Sequence, residues 1–133
     1  MNLARLAGHL AEIPGWGARA IELDELDIAP VGGPLYMPTT AESREHVVAV
    51  FDKNVQDTLD ALAKVADDAV LMQPWKLLGG GRKLMEMPRV AVMRNFCLNH
   101  LIHHRGQFSL YLRLNNVSVP SIYGPSADEG RIG

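Results

Sequence analysis

Hydrophobic positions recur at helical spacing in three segments of the chain and alternate with polar ones in a fourth. Leu3, Leu6, Leu10 and Ile13 fall three or four residues apart, and Pro14-Gly15 ends the run. Asn2 stands where an N-cap is needed, so a helix is predicted from Asn2 to Ile13. Thr39-Thr40-Ala41-Glu42 reads as a capping box that opens a second helix, running to about Asp67. Its expected buried stripe is Val48, Phe51, Val55, Leu59 and Leu62, with Asp52, Lys53, Gln56, Asp57, Asp60 and Lys64 on the wet side. From Ala69 to Met87 two short apolar-polar runs flank Gly79-Gly80-Gly81, a hairpin pattern in which Pro74 places the first strand at an edge or a bulge. Pro88 suits a helix start, and from Arg89 to about Leu114 Gly106 is the one breaker. Residues 27–38, with three prolines and two glycines, read as an irregular crossing, and the tail from Asn115 to Gly133 as extended, folded over the bundle or frayed.

Length and composition narrow the class. A chain of 133 residues is one domain, residues 1–133, large enough for a core. With 47% hydrophobic and 21% charged residues it has the balance of a soluble globular protein. The formal charge of −2, with no basic run, excludes a nucleic-acid footprint. No apolar stretch reaches membrane-spanning length, and Arg5, His9 and Glu12 interrupt the first apolar segment, so neither a membrane span nor a leader is expected. One cysteine, Cys97, rules out an internal disulfide and fits a reducing cytoplasm. The three glycines do not make a phosphate loop, because no GK[ST] follows them.

Three of the five histidines stand between residues 100 and 104. On a helix at ~100° per residue, Met93, Cys97, His100, His104, Gln107 and Tyr111 fall within about 40° of one line, which marks this as the central helix of a bundle. His100 and His104 are one turn apart, with β-carbons ~6 Å apart, so both imidazoles can reach one ion. His103 points about 80° away and reads as an edge residue. A third ligand has to come from another element. His46, beside Arg44 and Glu45, looks solvated; His9, at the edge of an apolar stripe, is the better choice. Three histidines would leave a coordination position open, the catalytic pattern. The glutamate of the HExxH motif is absent, since Leu101 follows His100. Spacing alone leaves the alternative open, because His-x-x-x-His arises by chance and buried neutral histidines are common. Cys97 could be a ligand or nucleophile, but reads better as a small buried hydrophobe.

The segments Leu6-Ala7-Gly8-His9-Leu10-Ala11-Glu12-Ile13-Pro14-Gly15-Trp16 and Met87–Glu129, the latter with its His-x-x-x-His helix, HHRGQ run, YLR and PSIYGPS tail, together resemble the DinB-like family of metalloproteins. The resemblance spans essentially the whole chain. It implies an all-α, four-helix-bundle fold with a small β-hairpin. It also implies a divalent metal, nickel or zinc, held by His9, His100 and His104. Some relatives are transferases or isomerases that use a low-molecular-weight thiol. Thiol-dependent transferase chemistry on a small-molecule substrate is therefore the expected function, and a non-catalytic, metal-binding stress-related protein the alternative. Glu12, Arg105 and Tyr111 are the candidates to orient water or an anionic substrate.

Members of that family carry a further helix before the segment that begins here. If that first helix is missing, the long helices expose an apolar groove larger than a monomer tolerates, and a homodimer is expected to cover it.

Overall fold

The computed structural model describes residues 1–129, a mostly helical fold with a small sheet at one end. In order it comprises α1 (Leu3–Glu12), α2 (Gly15–Glu22), β1 (Glu25–Asp27), α3 (Arg44–Ala63), α4 (Ala69–Met72), β2 (Pro74–Gly79) and β3 (Arg82–Pro88). A last helical run follows, made of α5 (Arg89–Val92), a π-helical segment (Met93–Asn99) and α6 (His100–Leu114). The four residues beyond 129 lie outside the description, so the expectation for the tail is met only as far as Glu129.

α1 forms as its sequence dictates. Asn2 Oδ1 accepts from the Arg5 amide at 2.9 Å, capping the first turn, and Leu6 and Ile13 are buried. Pro14 cannot donate an amide proton, so the helix breaks and resumes as α2 at Gly15. At the break α3 supplies polar partners. Asn54 Nδ2 donates to Ala11 O at 2.8 Å, and Thr58 Oγ1 accepts from the Ala18 amide at 3.0 Å and donates to Pro14 O at 2.6 Å. α3 approaches so closely that a Cβ at Gly17 would come within 2.9 Å of Thr58 Oγ1.

The sheet has the order β1-β2-β3, with β1 parallel and β3 antiparallel to β2. The hairpin falls where the alternation placed it, on the two-residue turn Gly80-Gly81, both at positive φ. Asp27 fixes that turn from the neighbouring strand, its carboxylate accepting from the amides of Gly80 (3.0 Å) and Gly81 (2.7 Å). Two expectations are corrected here. Ala69–Met72 is a helical turn rather than strand, and β2 is the middle strand rather than an edge. Pro74 is accommodated because it is the first residue of β2, while β1 pairs only with Lys76–Leu78. The other alternative, a bulge in the first strand, is met by the register shift in β2 between Leu77 and Leu78.

The core sits between the sheet and the root of the last helix. Ala20, Trp75 and Val92 are fully buried, and Trp16 stacks on Phe96 with centroids 5.8 Å apart. Arg89, 3% exposed, ties this region together. Its guanidinium donates to the carbonyls of Ala20 (2.7 Å), Ile21 (3.0 Å) and Leu23 (2.5 Å) at the end of α2, and pairs with Asp24.

Three further expectations change. α3 starts at Arg44, not at the Thr39 box, because Ser43 caps it by accepting from the His46 amide at 3.1 Å. Residues 39–41 are held by α1 instead: Thr39 N donates to Glu12 and Ala41 N to Ala4 O. The buried stripe of α3 is rotated: Ala61 is its buried residue, Asn54 and Thr58 face α1 and α2, and Val48 and Leu59 are about half exposed. The last helix is not central, since no residue of α6 is fully buried. Between it and α3 lies an open groove of about 360 Å³, lined by Phe51, Val55, Leu62, Met93, Cys97 and Leu101 among others.

Arg89→Met is expected to strand three carbonyls at the end of α2 and to cost about 3 kcal/mol. Urea unfolding should show this as a lower midpoint at unchanged slope, and a midpoint equal to wild type would refute the role.

Candidate metal centre

Two elements far apart in sequence supply the site. α1 presents His9, one turn after Arg5 and one before Glu12, and α6 begins with His100 and carries His104 one turn later. α1 packs against both α3 and α6, which brings the first histidine to the other two. The close approach along α1 depends on Gly8, where a Cβ would lie 2.7 Å from the Thr39 carbonyl carbon. The π-helical turn ending at Asn99 directly precedes His100, a local widening common at functional sites.

The three imidazoles converge on their Nε2 atoms. His9 Nε2 lies 3.2 Å and His104 Nε2 2.9 Å from His100 Nε2. Two nitrogens bound to one ion at ~2.0–2.1 Å, at angles between octahedral and tetrahedral, lie about 2.9–3.3 Å apart. The other ring nitrogens face outward. His104 Nδ1 donates to Gln107 Oε1 at 2.7 Å. That acceptor fixes the Nδ1–H tautomer of His104 and leaves its Nε2 lone pair at the centre, where a cation would hold it. His9, His100 and His104 therefore form a group that could hold a metal ion.

Burial, followed by the repulsion of His104 and His100, lowers the pKa of His9 below the ordinary 6.5. His100 is lowered in the same way, by burial and then by His104. Burial alone would raise the Glu12 carboxyl, but hydrogen bonds from Thr39 and Tyr36 and the charge of Arg5 outweigh it and hold it below 4.5. Burial also pushes the Cys97 thiol up to about 11, which suits a small apolar residue.

The remaining candidates are placed as follows. Glu12 lies beside His9 but is engaged by Tyr36 OH (2.7 Å) and Thr39 N. Arg105 donates to Tyr123 OH at 2.8 Å and covers that ring, so it is committed to the C-terminal segment. Tyr111 is exposed, two turns or about 10 Å along α6 from His104. His103 is an exposed edge residue whose ring meets that of His104. His46 lies outside the group, its Nδ1 accepting from the Glu42 amide. Sequence reading gave no role to Tyr36 and read Thr39 as a helix cap; both come from a segment without periodicity. Gln107 was on the histidine line, and its spacing three residues after His104 was the available signal.

A family model, that of the DinB family, matches residues 1–131. The chain belongs to the DinB family. Over 44 residues it is 39% identical to an uncharacterized protein, YrdA, of Bacillus subtilis (strain 168), a match covering 33% of this chain and 26% of that protein. The matched part thus spans about a quarter of that relative. No solved structure matches. Among the described residues of this DinB-family chain, no helix is long and apolar enough to cross a membrane.

The titration of the site has a definite sign. His9 and His100 bind protons less readily in the fold than in the unfolded chain, so their contribution to stability is complete above pH 6.5 and is lost as pH falls through their lowered values. Glu12 adds a loss of the same sign at lower pH, because its contribution is present above 4.5 and disappears as pH falls through its lowered value. Metal-free protein is therefore expected to unfold at less urea at about pH 5.5 than at about pH 7.5, with a smaller difference in His9→Gln. Equal midpoints at the two pH values would contradict this.

Proposed function

We propose that this DinB-family chain is a cytoplasmic divalent-metal-dependent enzyme that binds nickel or zinc through His9, His100 and His104. On this reading it carries out thiol-dependent transferase chemistry on a small molecule. The observation that carries the reading is the convergence of three Nε2 atoms while the outer nitrogen of His104 is held by Gln107. An ion held there supplies Lewis acidity and lowers the pKa of a weak acid, such as a thiol, that reaches it. Gln107 keeps the His104 imidazole in its metal-binding tautomer. Three protein ligands leave room for a small molecule. Cys97 is not the thiol of this chemistry, since burial keeps it protonated.

The first test is the metal content of purified protein by plasma mass spectrometry, beside His100→Ala and His104→Ala. About one nickel or zinc per chain is expected, lost in both variants, followed by turnover in a screen of low-molecular-weight thiols with small electrophiles. Absence of metal, with none taken up on titration, would overturn the reading. Stoichiometric metal without turnover would favour the binding-only, stress-related alternative.

We also propose that the working form is a homodimer in which a second copy completes a four-helix bundle over the groove between α3 and the last helix. Support comes from the apolar side chains there, with Leu59 and Leu98 each more than half exposed, and from the near absence of polar lining, Thr58 apart. Light scattering should give twice the chain mass, and Leu59→Lys should halve it while leaving the fold intact. A wild-type monomer at all concentrations would sink the dimer.

A further inference from the structure

The outer nitrogen of His9 is buried and unserved: its Nδ1 has no hydrogen-bond partner, whereas that of His104 is engaged by Gln107. A buried donor left in this state costs about 1–3 kcal/mol, so it marks a bond that another state of the protein completes. The nearest acceptor is Glu12 Oε2, one helical turn away at 3.8 Å. Moving the two together by about 1 Å would give a charge-assisted hydrogen bond of ordinary length.

Glu12 is already held in place for that bond. Tyr36 OH donates to Oε2 at 2.7 Å and the Thr39 amide to Oε1, while Arg5 stands 3.6 Å from Oε2 and donates to Thr39 O at 2.8 Å. The carboxylate is nearly buried, with 11% of its side chain exposed. A carboxylate with these donors cannot turn freely toward solvent, and two of them, Tyr36 and Thr39, come from the irregular segment that crosses between β1 and α3.

We propose that Glu12 is the positioning residue of the metal centre: its carboxylate accepts a hydrogen bond from His9 Nδ1–H when the ion is bound and so orients the third imidazole. The Tyr36–Thr39 strap holds Glu12 for this task. The inference rests on the metal reading proposed above and deepens it, since the strap becomes part of the site. Metal-ligating histidines are commonly oriented in this way by a carboxylate, whose loss costs 10–100-fold in affinity.

The test uses the full chain, stripped of metal, with Co²⁺ titrated against a chromophoric chelator in wild type, Glu12→Gln, Glu12→Ala and Tyr36→Phe. Glu12→Gln keeps an acceptor for the strap but loses the charge, so its Co²⁺ affinity should fall about tenfold or more with an altered visible spectrum, while its metal-free form, less stable than wild type, stays folded. Tyr36→Phe keeps the carboxylate and loosens the strap, so its affinity should fall less than that of Glu12→Gln. Glu12→Ala should lose both affinity and stability. Wild-type affinity in Glu12→Gln, or equal losses in Glu12→Gln and Tyr36→Phe, would overturn the positioning role and leave the metal site standing. A wild type that takes up no Co²⁺ would instead remove the metal reading, and this inference with it.

Discussion

A missing amide proton at Pro14 organises this molecule. It divides one helical segment into α1 and α2. The backbone groups at the break are taken up by Asn54 and Thr58 of α3, which locks it from outside. Before the break α1 packs against the last helix and delivers His9 to His100 and His104. After it α2 leads to the sheet, and its end is closed by Arg89. Arg89 in turn opens the run that carries the two histidines. The same break therefore fixes the site from both sides.

Burial is uneven along the fold. At the sheet end, Trp75, Val92 and Ala20 are sealed and Trp16 stacks on Phe96. Along the other half of the last helix nothing is fully enclosed, and α3 shows Val48 and Leu59 to the outside. The histidines stand on the boundary between these regions. The tight end gives their backbone a fixed origin, and the open end leaves their surroundings accessible to small molecules.

Much of the site was readable from residue spacing, because a helix maps a four-residue interval onto one face without help from the rest of the chain. His100 and His104 follow from that rule, and α1 follows from its leucines and the Asn2 cap. The hairpin was equally local, being set by alternation and by glycines that tolerate positive φ. What escaped was decided by partners distant in sequence. Thr39 reads as a cap, yet Glu12 competes successfully for its amide and Ser43 takes over the capping. The inner face of α3 is marked by polar residues, Asn54 and Thr58, which hydrophobic patterning assigns to solvent. β1, three residues long, carries too few positions for any period to be seen. Tyr36 and the orphaned nitrogen of His9 are invisible in sequence because they depend on a loop laid across a helix.

The separation of 91 residues between His9 and His100 gives the site a place in the order of folding. A pair of imidazoles one turn apart exists as soon as the last helix forms, even in a partly folded chain. The third arrives only when the two ends of the polypeptide have met. An ion gripped by all three closes a loop over about two thirds of the chain, and loop closure over such a span removes entropy much as a crosslink does. Because the helical pair alone still offers two nitrogens to the ion, the net tightening is the difference between two ligands and three. The first helix is thus a clasp, and its docking separates a chain that merely collects metal from one that keeps it.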